Sequence, residues 1–304
     1  RRWAMARFCT RLLRLSMLLS GPLLCLQAER VPQAKETVGV QLLSDAVPIA
    51  PGKPFYVGLL LSIDKGWHVY WRNPGDAGQE VRLKWQLPDG FHAEGLEWPL
   101  PERYQEPGDI ITYGYHGEVL LAARIIPPAE LKATDSVEIG VQASWLVCSK
   151  EICVPGSTEK QLSLKVANQP HSSRHAPLFR KWRRQVPVED PRQAGIQVEQ
   201  QWHGDGKGGG KWAIRWQLSL GHTLEGGTKQ VRFFPYPLSG ARFQPTGFTL
   251  SREGREVAAE VFVEKIGKGF DPNQLQAVIA YPEKAMKKED SAGPKTCAFV
   301  VRAR

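Results

Sequence analysis

The sequence has no apolar run long enough to cross a bilayer and no long amphipathic helical pattern. It contains neither a G-x-S-x-G nucleophile elbow nor an H-E-x-x-H pair, which removes the α/β-hydrolase and zincin signatures. Histidines number only seven. His68, His92 and His116 lack the i,i+4 or Cys-x-x-Cys company of a zinc site and read as surface or turn residues. The glycine run "GDGKGGGK" at 204–211 is not a phosphate loop. Gly210-Lys211 would need a glycine at 205, which is Asp205, and Trp212 stands where Ser or Thr should follow. It reads as a flexible hairpin loop. No pair of carboxylates can be argued into a cleft.

Cysteine is scarce and unevenly placed. Residues 1–28 combine a basic start, a short apolar stretch "LSMLLSGPLLCL" and small-residue cleavage after Ala28, and read as a secretory signal peptide. A lipoprotein reading of Cys25 is disfavoured by the bulky Leu24 before it. Arg1 stands where a methionine would begin a chain, so either Met5 is the start or the sequence is a fragment. The leader holds five of the 40 basic residues and no acidic one, leaving 35 against 31. That near balance weakens any case for nucleic acid as a partner. Cys9 and Cys25 leave with the leader. Cys148, Cys153 and Cys297 then remain in an oxidising compartment, the first two as the natural pair and Cys297 as a small core residue of a late strand.

Strand signals fill the rest. "FYVGLLLSI" alternates Phe55, Val57, Leu59, Leu61 and Ile63, and "VRLKWQL" alternates Val81, Leu83, Trp85 and Leu87. "VEIGVQASWLV" aligns Val137, Ile139, Val141, Ala143, Trp145 and Val147 against Glu138, Gln142 and Ser144. Period-two alternation predicts half-buried antiparallel strands. Turn signals at 73–76, 88–90, 106–109 and 155–156 separate them. The expected fold is all-β: a β-sandwich over 29–166 and a second sandwich-like domain over 194–304. The segment 167–193 reads as a linker with a helical turn or two near 178–185, its Phe179 and Trp182 docking on a domain face. In the second domain "KWAIRWQLSL" aligns Trp212, Ile214, Trp216, Leu218 and Leu220, and a hairpin turns near Glu253-Gly254. Aromatics Trp67, Tyr70 and Trp71 are either sandwich core or a sugar-binding platform.

In "SWLVCSKEICVPG", residues 144–156, Cys148 and Cys153 stand with four residues between them, flanked by two strand-like runs. Lys150 would favour a thiolate and Glu151 would oppose it, and no helix dipole is expected to help. A structural staple closing about six residues contributes only ~2 kcal/mol by chain entropy. Residue chemistry alone leaves a redox pair and a structural disulfide level.

"GWHVYWRNPGDAG", "WPLPERY", "ITYGYHGEVLL" and "ASWLVCSKEICVPG" follow one another across some ninety residues. Together they resemble the N-terminal periplasmic domain of the DsbD/ScsB family of thiol:disulfide interchange proteins. The resemblance implies an immunoglobulin-like sandwich in which Cys148 and Cys153 shuttle electrons, without a cofactor. The implied partners are a transmembrane thiol reductase domain and periplasmic thioredoxin-like or isomerase acceptors. That donor would be a separate protein or a further part of a longer chain. It also implies a cap over the disulfide at 111–114, where Thr112 replaces the family's usual aromatic and Tyr113 becomes the candidate shield. The cysteines are one residue closer than in the best-known members. The competing reading is a non-catalytic extracytoplasmic binding module with a structural disulfide.

Overall fold

In the computed structural model the described residues are 37–133, 136–218, 222–224, 226–244, 247–251, 253–285 and 295–303. The expected leader and Leu220 lie outside them. The first sheet runs β1 (Val38–Ser44), β2 (Phe55–Ile63), β8 (Glu118–Ile126), β5 (His92–Ala93). Facing it is a sheet in the order β10 (Cys153–Lys165), β9 (Ser136–Cys148), β3 (His68–Gly75), β7 (Ile110–Tyr115), β6 (Glu102–Glu106). The short β4 (Arg82–Gln86) also pairs with β9. The alternation of β2 and β9 turns out as expected: each apolar position named above on these strands is buried, while Glu138, Gln142 and Ser144 are exposed. This is an immunoglobulin-like sandwich.

The connector supplies α1 (Ala176–Arg183), opened by Pro177 near its start, where a missing N–H costs nothing. Phe179 and Trp182 are buried on the first sandwich. Gly58 of β2 makes the docking close, since a Cβ there would come within 3.1 Å of the Phe179 ring and 2.8 Å of Leu120. Beyond α1, Val188 accepts from Val300 and donates to Ala298, stitching the connector to the last strand.

The second half holds β11 (Val198–Gly204), β12 (Gly210–Gln217), β17 (Glu256–Lys265) and β15 (Ala241–Gln244) in one sheet, with β16 (Phe248–Leu250) also on β17. The other sheet centres on β18 (Gln276–Ala285), paired with β13 (His222–Leu224), β14 (Arg232–Pro235) and β19 (Lys295–Arg302). The glycine run makes the β11–β12 hairpin, with Gly204 opposite Gly210. Cys297 is partly buried on β19, opposite Tyr281.

β18 is buried on both faces. Ala277, Ile279 and Tyr281 enter the core of the second pair of sheets, while Val278 and Ala280 join Phe234 and Val300 against the first sandwich. The described residues accordingly form one compact unit. The contact is specific as well as apolar. Trp71 meets Phe234 and Tyr236 edge-on at 6.2 and 5.6 Å, Arg72 lies 4.2 Å over the Tyr236 ring, and the Asn73 amide donates to the Pro235 carbonyl at 2.8 Å. Trp71 is therefore core, at 1% exposure, and Trp67 is partly buried against the same cluster, which favours packing over a sugar platform.

Candidate functional site

β9 ends at Cys148 and β10 begins at Cys153, and the two face each other in register as a disulfide. The four residues between them form a tight turn organised by Ser149. Its N–H donates to the Ile152 carbonyl at 2.8 Å, and its Oγ accepts from the N–H groups of Glu151 and Ile152 while donating to the Glu151 carboxylate. Glu151 is thus held by Ser149, turned to solvent with Lys150.

Pro155-Gly156, expected as a turn, lies inside β10 instead. The reason is Trp145. Gly156 is its cross-strand partner, and a Cβ at 156 would stand 2.4 Å from the indole. Pro155 is accepted because β10 is the edge of its sheet, where a missing N–H is tolerated.

The two sulfurs differ in access. Cys148 is 2% exposed and Cys153 is exposed. Odd-numbered residues of β9 from Val137 to Val147 fill the core, so Cys148 points to the outer face of the sheet. It is buried there because that face is covered. His68 stands directly opposite Cys148 on β3. The imidazole is stacked on Tyr104 of β6 with centroids 5.1 Å apart, and Tyr70 meets it edge-on at 5.0 Å. The Tyr104 hydroxyl lies 3.1 Å from His116 Nδ1, which is also 3.2 Å from the Glu102 carboxylate. Burial pushes the Tyr104 hydroxyl well above the usual phenol range.

His68 is therefore not the surface residue expected; only 9% of it is exposed, and its Nε2 has no hydrogen-bond partner among the described residues. His92 and His116 are exposed, as expected. Burial lowers the His68 pKa, with Glu106 opposing and His116 assisting the shift. The native state thus binds fewer protons than the unfolded chain near the ordinary histidine pKa of about 6.5. The contribution of this residue to stability is full above about pH 6.5 and is lost as the pH falls through the native value. Urea midpoints measured between pH 7.5 and 5 are expected to drop for the wild type and to drop less for His68→Phe. Equal slopes would refute the assignment.

The segment 111–114 is not a free loop but the middle of β7, paired with β6 and β3. Thr112 is opposite Tyr104 and shares its outer face. It is 1% exposed, and its Oγ1 finds no partner among the described residues. The Tyr113 ring turns to the other face, against Trp71 at 6.4 Å and Phe234 at 5.5 Å, where burial raises its pKa to about 12. Alternation along β7 separates the two residues. Gly75, with φ of 89°, passes so close to β7 that a Cβ would stand 2.2 Å from the Ile111 carbonyl oxygen. Sequence reasoning missed Tyr104, and it took His68 for a surface residue. The signal for His68 was its i,i+2 relation to Tyr70 in "GWHVYW".

Among the described residues no three His, Cys, Asp or Glu side chains converge to hold a metal, and no helix is long and apolar enough to cross a membrane. Residues 40–165 match the family model described as "Thiol:disulfide interchange protein DsbD, N-terminal". The resemblance carried by the four motifs thus holds across the first sandwich. Among solved structures, the N-terminal periplasmic domain of ScsB from Proteus mirabilis is 16% identical, with a TM-score of 0.57, covering 88% of this chain and 95% of that one. That likeness of fold takes in the second pair of sheets as well as the first. The DsbD N-terminal domain of Neisseria meningitidis in its reduced form is also 16% identical, covering 44% of this chain and 90% of that one, with a TM-score of 0.25. A comparison with curated proteins finds no match.

Proposed function

We propose that this protein is an exported, periplasmic thiol–disulfide exchange module. Cys148 and Cys153 take electrons from a membrane reductase and pass them to thioredoxin-like or isomerase acceptor proteins. The observation that carries this reading is the unequal burial of the two sulfurs. A thiolate must approach a disulfide along an open path, and the sulfur it reaches becomes the mixed-disulfide partner. Cys153 is that sulfur, and the buried Cys148 is the leaving and resolving one. Within this reading Thr112 and Tyr104 limit approach from the outer face, and Tyr113 anchors β7 from behind. The second pair of sheets supports that anchor through Phe234.

Equilibration of the protein in glutathione buffers, followed by alkylation of the free thiols, tests the proposal. A potential above about −300 mV is expected, in the range of exchanging rather than purely structural disulfides. A potential well below that value, with no mixed disulfide captured at Cys153, would leave only a structural bridge.

A further inference from the structure

Three residues stand in one row across the outer face of the sheet. Cys153 is opposite Cys148, and Cys148 is opposite His68. Directly opposed residues of an antiparallel pair hold their Cβ atoms about 4.5–5.5 Å apart on the same face. Exposed sulfur, buried sulfur and imidazole therefore follow one another without a gap. The imidazole is fixed by rings on two sides, Tyr104 stacked on it and Tyr70 at its edge. Yet Nε2 is buried and has no hydrogen-bond partner among the described residues. A buried polar atom left unpaired in a native structure calls for a reason, and one reason is a partner that exists only in another state of the protein. Here the group that changes between states is the neighbouring sulfur.

We propose that His68 Nε2 is the hydrogen-bond and proton partner of the Cys148 sulfur during exchange, a role that rests on the reading of Cys148–Cys153 as an exchange pair. A partner thiolate attacks Cys153 Sγ. The bond between Cys153 and Cys148 breaks, a disulfide between the partner and Cys153 forms, and Cys148 departs with the electron pair as a thiolate. A thiolate at a site 2% exposed has little water to stabilise it. In its neutral Nε2–H form His68 donates a hydrogen bond to that sulfur, and in its imidazolium form it gives up the proton. A second thiol of the partner then resolves the mixed disulfide. The partner leaves oxidised, and Cys148 and Cys153 remain as thiols. In the opposite direction Nε2 takes the proton from the Cys148 thiol and makes it a nucleophile.

The other groups that set the charge at this ring are few. Tyr104 and Glu106 face it from β6, His116 from beyond β7 with Glu102 behind it, and Tyr70 from β3 itself. Lys150 and Glu151 stand exposed past the cysteines. None of these lies opposite Cys148 in the sheet, whereas His68 does.

The test is stopped-flow reduction of the oxidised protein by dithiothreitol from pH 5 to 8, with rates corrected for the reagent's thiolate fraction. His68→Phe keeps the ring stack and removes both nitrogens. His68→Gln restores a donor that does not titrate. The wild type is expected to show an inflection in the histidine range. His68→Phe should lose it and react roughly a hundredfold more slowly, and His68→Gln should recover part of the rate without the inflection. A second readout follows the 15N shift of His68 Nε2, which should move when the wild-type disulfide is reduced. Matching rates and inflections in wild type and His68→Phe overturn the proposal. Should the variants fail to fold, an Nε2 shift unmoved by reduction overturns it instead. A wild type that dithiothreitol cannot reduce counts against the exchange function itself, before His68 is in question.

Discussion

Cys148→Ser leaves an exposed thiol at Cys153 and is expected to accumulate as a mixed disulfide with glutathione when exposed to its oxidised form. Cys153→Ser leaves a thiol at 2% exposure and should form almost none. Both variants lose exchange with protein partners down to the uncatalysed background, because one captures without resolving and the other cannot be reached. Intact-mass measurement after a fixed incubation reads the difference directly. Stability separates the two roles of the bridge. Breaking a disulfide that closes so short a loop costs only about 2 kcal/mol, so both proteins should remain folded and the comparison stays clean. Equal adduct formation by the two variants would sink the assignment of Cys153 as the attacked sulfur.

Trp71→Ala is expected to be strongly destabilising. The indole is 1% exposed and touches Tyr113 of β7 together with Phe234 and Tyr236 of the second half. Removing a buried large aromatic costs about 3–5 kcal/mol through lost transfer energy and the cavity left behind. Here the cavity opens in the contact between the two pairs of sheets, so urea unfolding followed by fluorescence and by circular dichroism should separate into two transitions. Phe234→Ala removes the facing ring, and a double-mutant cycle between the two should give a coupling of roughly 0.5–1.5 kcal/mol. Additive losses would mean that the rings are neighbours without being partners.

Much of this arrangement is legible in the residues. Alternation in "FYVGLLLSI" and "VEIGVQASWLV" places the core faces of β2 and β9, because a strand with one dry face must write period two into its sequence. Phe179 and Trp182 interrupt a basic connector, and two large apolar rings in such company have to dock somewhere. "LQAVIAYP" is different: it is apolar without alternation, which suits a strand dry on both faces. Its second contact surface could not be located from the run itself. The neighbourhood of Cys148 was hidden for a related reason. Alternation puts His68 and Tyr70 on the outer face, but the ring that covers them, Tyr104, comes from β6, with no local pattern to announce it. Pro155-Gly156 misleads as a turn because a glycine that makes room for a facing indole looks, in one dimension, like a glycine that bends the chain.

β18 also sets an order of events as the chain is made. Polypeptides emerge N-terminus first and tend to fold as they appear. All strands of the first sandwich are therefore made while those that will cover Trp71 and Tyr113 are still to come. During that interval an apolar, aromatic patch around Trp71 and Tyr113 faces the surroundings. The patch closes only when Phe234 arrives with β14 and Val278 with β18. A newborn chain is thus most prone to sticking to its neighbours before its last strands are added.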